Sequence, residues 1–175
     1  LHGGTTELGG GAILAVATTL AVDGTAQLIV HARDLDPVPD SRDTWAGEGA
    51  TITAATLTVG AEAVISADAQ GYRGHADAQG DGPGGGTGYG GGGHGGKGAL
   101  DDGGTAYGDS LQPLTLGSAG GSNDGNDGPA GGGAIRIEAD QITVDGAVSA
   151  NGGDAPGSRQ GGGGGGSVWV TAETL

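Results

Sequence analysis

The chain has 175 residues, of which 45 are glycine and 34% are hydrophobic, and it contains no Phe, Met or Cys. Its length fits one domain, but its composition excludes a conventional globular core, so any core is a thin stack of Ala, Val, Ile, Leu and Thr. The formal net charge of −15 argues against nucleic acid as a partner, because phosphate binding needs clustered Lys and Arg. No stretch approaches the ~20 apolar residues of a membrane-spanning helix, so no membrane insertion is expected.

Four strand-rich blocks are predicted along the chain. The first two cover residues 12–32 and 50–67, where aliphatic residues punctuate Ala and Thr, a pattern typical of strands. A polar loop is predicted over residues 34–49, since its prolines cannot join a regular ladder. The third block, residues 134–150, is expected to form three short strands separated by turns, and residues 167–175 begin the same pattern again.

A repeat relates these blocks to one another. Gly-Gly-Gly followed by an alternating apolar segment occupies residues 131–142 and residues 164–175, 33 positions later, and a similar start lies at residues 9–17. A unit that recurs in this way is typical of coils that stack on one another. Three short strands per coil predict an all-β fold, a right-handed parallel β-helix or β-solenoid formed as a single domain by residues 1–175. Because the chain starts without Met and stops within a repeat, we expect it to be a fragment of a longer chain.

The repeat also predicts a core. Period-2 alternation places one set of aliphatic side chains inside, stacked across the 33-residue offset. The inward residues are expected to be Ile135, Ile137, Ile142, Val144 and Val148, stacked on Val168, Val170 and Leu175.

Two long glycine-rich segments separate the strands, an insertion at residues 70–133 and a loop at residues 151–166. Such composition alone predicts a flexible linker. The insertion also carries Tyr, His and Leu residues that a spacer does not need. This favours ordered glycine-rich loops, with extended threads like those of polyglycine II, because glycine lets neighbouring backbones approach closely.

Five motifs follow one another in the order seen in a known group of proteins. They are Gly-Gly-His-Gly-Gly-Lys-Gly at residues 92–98, Tyr-Gly-Asp at 107–109, Gly-Ser-Ala-Gly-Gly at 117–121, Gly-Gly-Gly-Ala-Ile-Arg-Ile at 131–137 and Ser-Ala-Asn-Gly-Gly at 149–153. In this order they resemble a widespread group of secreted or surface glycine-rich repeat proteins of bacteria and plants. The resemblance implies an extracellular or cell-surface location and a β-helical repeat region. It implies no defined activity and no catalytic residue.

An acidic turn at residues 123–128 is the candidate metal site. Asp124, Asn126 and Asp127 place carboxylate and amide oxygens on a glycine-rich turn, and such oxygens are the ligands that calcium prefers. The alternative is an ordinary Asx turn in solvent, since the spaced Glu of a helix-loop-helix calcium site is missing. Calcium is the only cofactor that the sequence suggests.

His94 and Lys97 lie together in a glycine run. Such side chains could act as a base or clamp an anion. A structural role is preferred, in which they lock bare backbone by hydrogen bonding to carbonyl groups that have no other partner.

Other acidic residues offer weaker patterns. Asp101, Asp102 and Asp109 form a second acidic group, and Asp140 and Glu173 lie 33 residues apart, so they are expected to stack on adjacent coils. A stacked pair could hold a cation or supply the acid and base of a polysaccharide-cleaving enzyme, but it is also ordinary for a solvated turn.

Aromatic residues suggest contacts on the outside of the molecule. Arg136 and Trp169 share a repeat position, which predicts a cation–π stack on the outer face. Trp45, Tyr72 and Tyr89 lie on loops and could support a sugar ring, although scattered aromatic residues also serve simply in packing.

The sequence therefore predicts an extracellular structural, adhesive or filament-forming module that is not an enzyme. Its expected partner is another copy of itself, joined end to end through exposed strands. The alternative is a β-helical protein that binds or cleaves carbohydrate, with a surface polysaccharide as its partner.

Overall fold

The computed structural model of the protein describes residues 1–34, 45–76 and 78–174. These ranges contain ten strands and no helix. The strands are β1 (Thr5–Leu8), β2 (Ile13–Val22), β3 (Gln27–Val30), β4 (Arg33–Asp34), β5 (Gly47–Glu48), β6 (Ala50–Val59), β7 (Val64–Ser66), β8 (Ala134–Val144), β9 (Ala147–Ser149) and β10 (Ser167–Thr174). Every predicted block contains strands, whereas β1 and the short pair β4 and β5 lie outside the blocks. Most of the predicted polar loop falls outside the described residues.

The strands form two separate parallel sheets. One sheet has the order β10-β8-β6-β2, the other has the order β1-β3-β7-β9, and β4 pairs with β5 in a small antiparallel ladder. The prediction of a single right-handed β-helix or β-solenoid is therefore wrong. The described chain folds as two four-stranded parallel sheets with a compact core.

The number of strands predicted for the third block is wrong. Residues 134–150 were expected to form three short strands, but β8 runs without interruption for 11 residues and only β9 follows it. The segment Glu-Ala-Asp-Gln at residues 138–141 lacks the glycine or proline that would end a strand. Each of the first three blocks thus gives one long strand to the first sheet and one short strand to the second, whereas the fourth block gives only β10 to the first sheet.

Aliphatic side chains from matching strand positions fill the core. In β6 and β8, Ile52 lies beside Ile137 and Leu57 beside Ile142, and all four side chains are buried. The buried residues of β6 have even numbers up to Ile52 and odd numbers from Leu57 onward. The face of the strand that is buried in the core therefore switches between these two residues. This change indicates a bend within the strand, because successive side chains of a regular strand point to opposite faces.

The 33-residue register is confirmed, since Val168 pairs with Ile135 and Val170 with Ile137. The expected core residues nevertheless divide into two groups. The first group is buried or partly buried and consists of Ile135, Ile137, Ile142 and Val148. The second group is 36–44% exposed and consists of Val144, Val168 and Val170. The prediction is wrong for this second group. The second sheet stops at β9, so no described strand lies opposite β10, which carries Val168 and Val170. Val144 lies on β8 beyond Gln141, the last residue of β8 that pairs with β10, so it has a described neighbouring strand on one side only. Leu175 lies outside the described residues.

The glycine-rich segments pack into an ordered layer, as predicted. The Gly117 N–H donates to the carbonyl of Gly132 (2.8 Å), the Gly132 N–H to that of Gly164 (2.9 Å), and the Gly164 N–H to that of Ser118 (2.8 Å). The three segments thus meet in a triangle rather than in a flat ladder. A Cβ atom on Gly117 would lie 2.3 Å from the Gly164 oxygen, so only glycine permits this approach.

Candidate functional site

His94 joins two ends of a glycine-rich loop. Its ring nitrogen Nε2 lies 2.7 Å from the hydroxyl oxygen of Thr115, and its ring packs edge-on against Tyr107 with centroids 5.0 Å apart. Its backbone N–H donates to Gly96, and its carbonyl accepts from the N–H of Tyr107. These contacts hold the His94 side chain against Thr115 and Tyr107, and its predicted locking of backbone carbonyl groups stays a prediction.

A chain of hydrogen bonds continues from Tyr107. The Tyr107 hydroxyl donates to the carbonyl of Leu116 (2.5 Å) and accepts from the Ser118 hydroxyl (2.8 Å), whose oxygen accepts from the Gly84 N–H (3.0 Å). Burial raises the pKa of Tyr107, so this hydroxyl stays protonated and acts as a donor rather than as a base. Thr115 and Ser118 were not predicted as site residues, because they carry no distinctive spacing in the sequence.

Lys97 lies on the same loop with an exposed side chain. Together with His94 it lines an open groove of about 580 Å³, whose opposite wall is residues 162–166. Within the described ranges Lys97 makes no hydrogen bond or ion pair through its side chain, so its predicted locking role gains no support from these contacts. Among the described residues that line this groove, Lys97 is the one Lys or Arg side chain.

We expect His94 to make stability fall in mild acid. Burial lowers the pKa of His94 from 6.5, and carbonyl groups of Gly166 and Gly165 oppose this only in part. Because the unfolded chain then binds a proton more readily, the contribution of His94 is complete above pH 6.5 and is lost as the pH falls toward the folded-state pKa. The melting temperature of the wild type should therefore drop on acidification, and the drop should be smaller in His94→Gln.

Thermal unfolding between about pH 8 and about pH 5 measures this effect. His2→Gln is the matched control, since His2 is exposed and lies outside the glycine-rich layer. An identical pH slope in His94→Gln and the wild type would contradict the assignment.

The Asp124 carboxylate of the acidic turn is hydrogen-bonded to other groups of the protein. Oδ1 of Asp124 accepts hydrogen bonds from the N–H of Asn126 (3.0 Å), the hydroxyl of Ser122 (2.9 Å) and the side-chain amide of Gln160 (3.2 Å). These hydrogen bonds lower the pKa of Asp124, and the bond from the backbone N–H of Asn126 has the largest effect. Asn126 and Asp127 are exposed, and no group of three His, Asp or Glu side chains that could hold a metal occurs in the described residues. Calcium binding here stays a prediction that these contacts do not favour.

The outer face of the long strands carries the predicted cation–π stack. The guanidinium of Arg136 lies 4.7 Å from the centroid of the Trp169 ring, and it also forms an ion pair with Glu138. Asp140 and Glu173 lie on the neighbouring strands β8 and β10, and both are exposed to solvent.

The three loop aromatic residues have different environments. Tyr72 is 7% exposed and packs in a small core with Leu116, so it serves in packing. Tyr89 is exposed on a loop. Trp45 is half-buried and lines a groove that is also lined by residues 101–102. The groove therefore combines a predicted loop aromatic residue with part of the second acidic group.

Comparison with known proteins gives no match: no protein-family model, curated protein or solved structure is similar to this chain. The described residues contain no helix that is long and apolar enough to cross a membrane.

Proposed function

We propose that this chain is a structural or adhesive module of an extracellular or cell-surface protein, that it assembles end to end, and that it is not an enzyme. The open edges of its larger parallel sheet carry the proposal. The order of the five glycine-rich motifs supports the location, because the proteins that share this order are secreted or surface-bound.

Two outer strands expose aliphatic residues at opposite edges of one sheet. β10 exposes Val168 and Val170 by 36% and 41%, and β2 exposes Ile13 by 70%. Outer strands present backbone N–H and C=O groups that can pair with another chain. The amino-terminal residue Leu1 hydrogen-bonds near the end of β2, to Ala21, which leaves the first part of β2 as the accessible segment.

The two ends of the strand stack are complementary. Strands that follow one another in the chain lie in the same layer of the stack, one in each sheet: β2 with β3, β6 with β7, and β8 with β9. At one end of the stack β1 extends its sheet beyond β3, and at the other end β10 extends its sheet beyond β8. A second copy whose β2 lies along β10 brings its β1 beside β9, so both sheets continue. A head-to-tail contact of this kind repeats from copy to copy and builds a filament.

We expect self-assembly to increase with ionic strength. The net charge of −15 makes copies repel one another at low salt, and screening shortens the reach of this repulsion from ~30 Å at 0.01 M to ~3 Å at 1 M salt. Light scattering across a sodium chloride series measures the effect. Calcium chloride at matched ionic strength shows whether a divalent cation adds more than screening.

A paired substitution tests the edges directly. Ile13→Lys with Val170→Lys places charge on both outer strands and should abolish the salt-dependent scattering. Leu111→Lys is the matched control, because Leu111 is 83% exposed but lies outside every strand. A chain that stays monomeric at every salt concentration and cleaves a polysaccharide would overturn the proposal in favour of an enzyme.

A further inference from the structure

A second groove lies on the glycine-rich layer, and neither His94 nor Lys97 is among its lining residues. It has a volume of about 510 Å³, within the ~300–1,000 Å³ typical of small-molecule sites. Two glycine-rich stretches, residues 82–85 and 103–104, form much of its wall. The side chains with binding chemistry are Trp45, Gln79, Thr87, Asp101, Asp102 and Thr105.

The wall of this groove is closely packed and internally hydrogen-bonded. A Cβ atom on Gly104 would lie 1.7 Å from the carbonyl oxygen of Gly84, so the two stretches are in close backbone contact. The N–H of Thr87 donates to the carbonyl of Asp102 (3.0 Å), and the Thr105 hydroxyl donates to the carbonyl of Pro83 (3.3 Å). A groove formed in this way needs little ordering when a ligand binds, which favours affinity.

Trp45 provides an aromatic surface at the groove. Its indole packs edge-on against Tyr72, with ring centroids 5.4 Å apart and an angle of 70° between the rings. Tyr72 is itself buried, so this contact fixes the indole to the fold while Trp45 stays partly exposed. A fixed aromatic ring offers a large apolar area, with a negative face that attracts polarised C–H groups.

The carboxylates of Asp101 and Asp102 supply hydrogen-bond acceptors. Both residues are exposed, and neither side chain makes a hydrogen bond or ion pair within the described part of the chain. A carboxylate only accepts hydrogen bonds, and its bonds are roughly twice as strong as neutral ones. Neighbouring hydroxyl groups on one ligand are suitable donors for such a pair.

The lining selects among ligand classes. None of its described side chains is Lys, Arg or His, so an anionic ligand such as a phosphate or a uronate would meet only repulsion. An extended apolar ligand would find too few apolar groups beyond Trp45 and Pro83. We propose that this groove binds an uncharged oligosaccharide, whose C–H face stacks on Trp45 and whose hydroxyl groups donate to Asp101 and Asp102. The site is independent of the strand edges that carry self-assembly.

Tryptophan fluorescence tests the site, because the chain contains only two tryptophans. Trp169→Phe leaves Trp45 as the reporter in the groove, and Trp45→Phe leaves Trp169 as the reporter on the outer face. The full chain carrying each substitution is titrated with cellohexaose, maltohexaose and chitohexaose. We expect a saturable change in emission with at least one of them in Trp169→Phe and no change in Trp45→Phe.

Further variants separate binding from misfolding. Asp101→Asn with Asp102→Asn should weaken the apparent affinity at least ~10-fold while the melting temperature stays within a few degrees, since both residues are exposed. An equal response in Trp45→Phe, a response to calcium chloride but to no sugar, or no response to any of the three hexasaccharides would overturn the proposal. Scattering by the same samples keeps this test distinct from that of self-assembly.

Discussion

Replacing Ile137 with Asp is expected to unfold the protein. Ile137 is 1% exposed and lies between Ile52 of β6 and Val170 of β10. Loss of such a side chain costs about 2–5 kcal/mol, and a carboxylate buried without a partner adds a further penalty. Because domains of this size are stable by only about 5–15 kcal/mol, the sum leaves little or no folded protein.

Circular dichroism during thermal and urea unfolding measures this loss. Val170→Asp is the matched control, because Val170 pairs with Ile137 on the neighbouring strand but is 41% exposed. It should change stability by less than about 1 kcal/mol. If Ile137→Asp kept the melting temperature of the wild type, the strand register would be wrong.

Replacing Gly117 with Ala is expected to have the second largest effect. The added methyl would lie 2.3 Å from the oxygen of Gly164 and 2.4 Å from that of Gly165, so two packed backbones must separate. Overpacking of this kind typically costs about 1–3 kcal/mol. We expect a value at the upper end of this range, since neither obstacle is a flexible side chain and the shift also disturbs the hydrogen-bonded triangle.

Two other glycines provide the controls. Gly96 has open space where its Cβ would be, and the nearest atom to a Cβ on Gly165 is 3.8 Å away. Ala at either position should change stability by less than about 1 kcal/mol, through the entropy of the unfolded chain. Equal melting temperatures for all three variants would show that the glycine-rich layer adds nothing to stability.

The sequence is most informative where side chains alternate. Alternation and the repeat predict the strand blocks, the pairing of Val168 with Ile135 and the contact between Arg136 and Trp169. They do not predict how many strands each repeat forms. A bend within a strand interrupts the alternation of buried and exposed residues, and in the sequence this interruption looks like a turn between two strands. In the structure β6 and β8 keep the same pairing register on both sides of the bend.

Contacts within the glycine-rich layer could not be predicted in this way. Glycine has no side chain, so the pairing of one glycine segment with another leaves no periodic signal. The His94 contact with Thr115 joins positions 21 residues apart, and the bond from Gly84 to Ser118 joins positions 34 apart. Trp45 and residues 101–102 line one groove for the same reason, through the packing of glycine-rich loops.

Heat capacity is the property in which the glycine-rich layer should differ most from the two sheets. Unfolding the sheets exposes aliphatic side chains, which raises the heat capacity, whereas unfolding the layer exposes mainly polar peptide groups, which lowers it. The whole chain should therefore gain less heat capacity on unfolding than an ordinary domain of the same length. Its stability then varies only gently with temperature, and the hydrogen-bonded layer loses little of its strength in the cold.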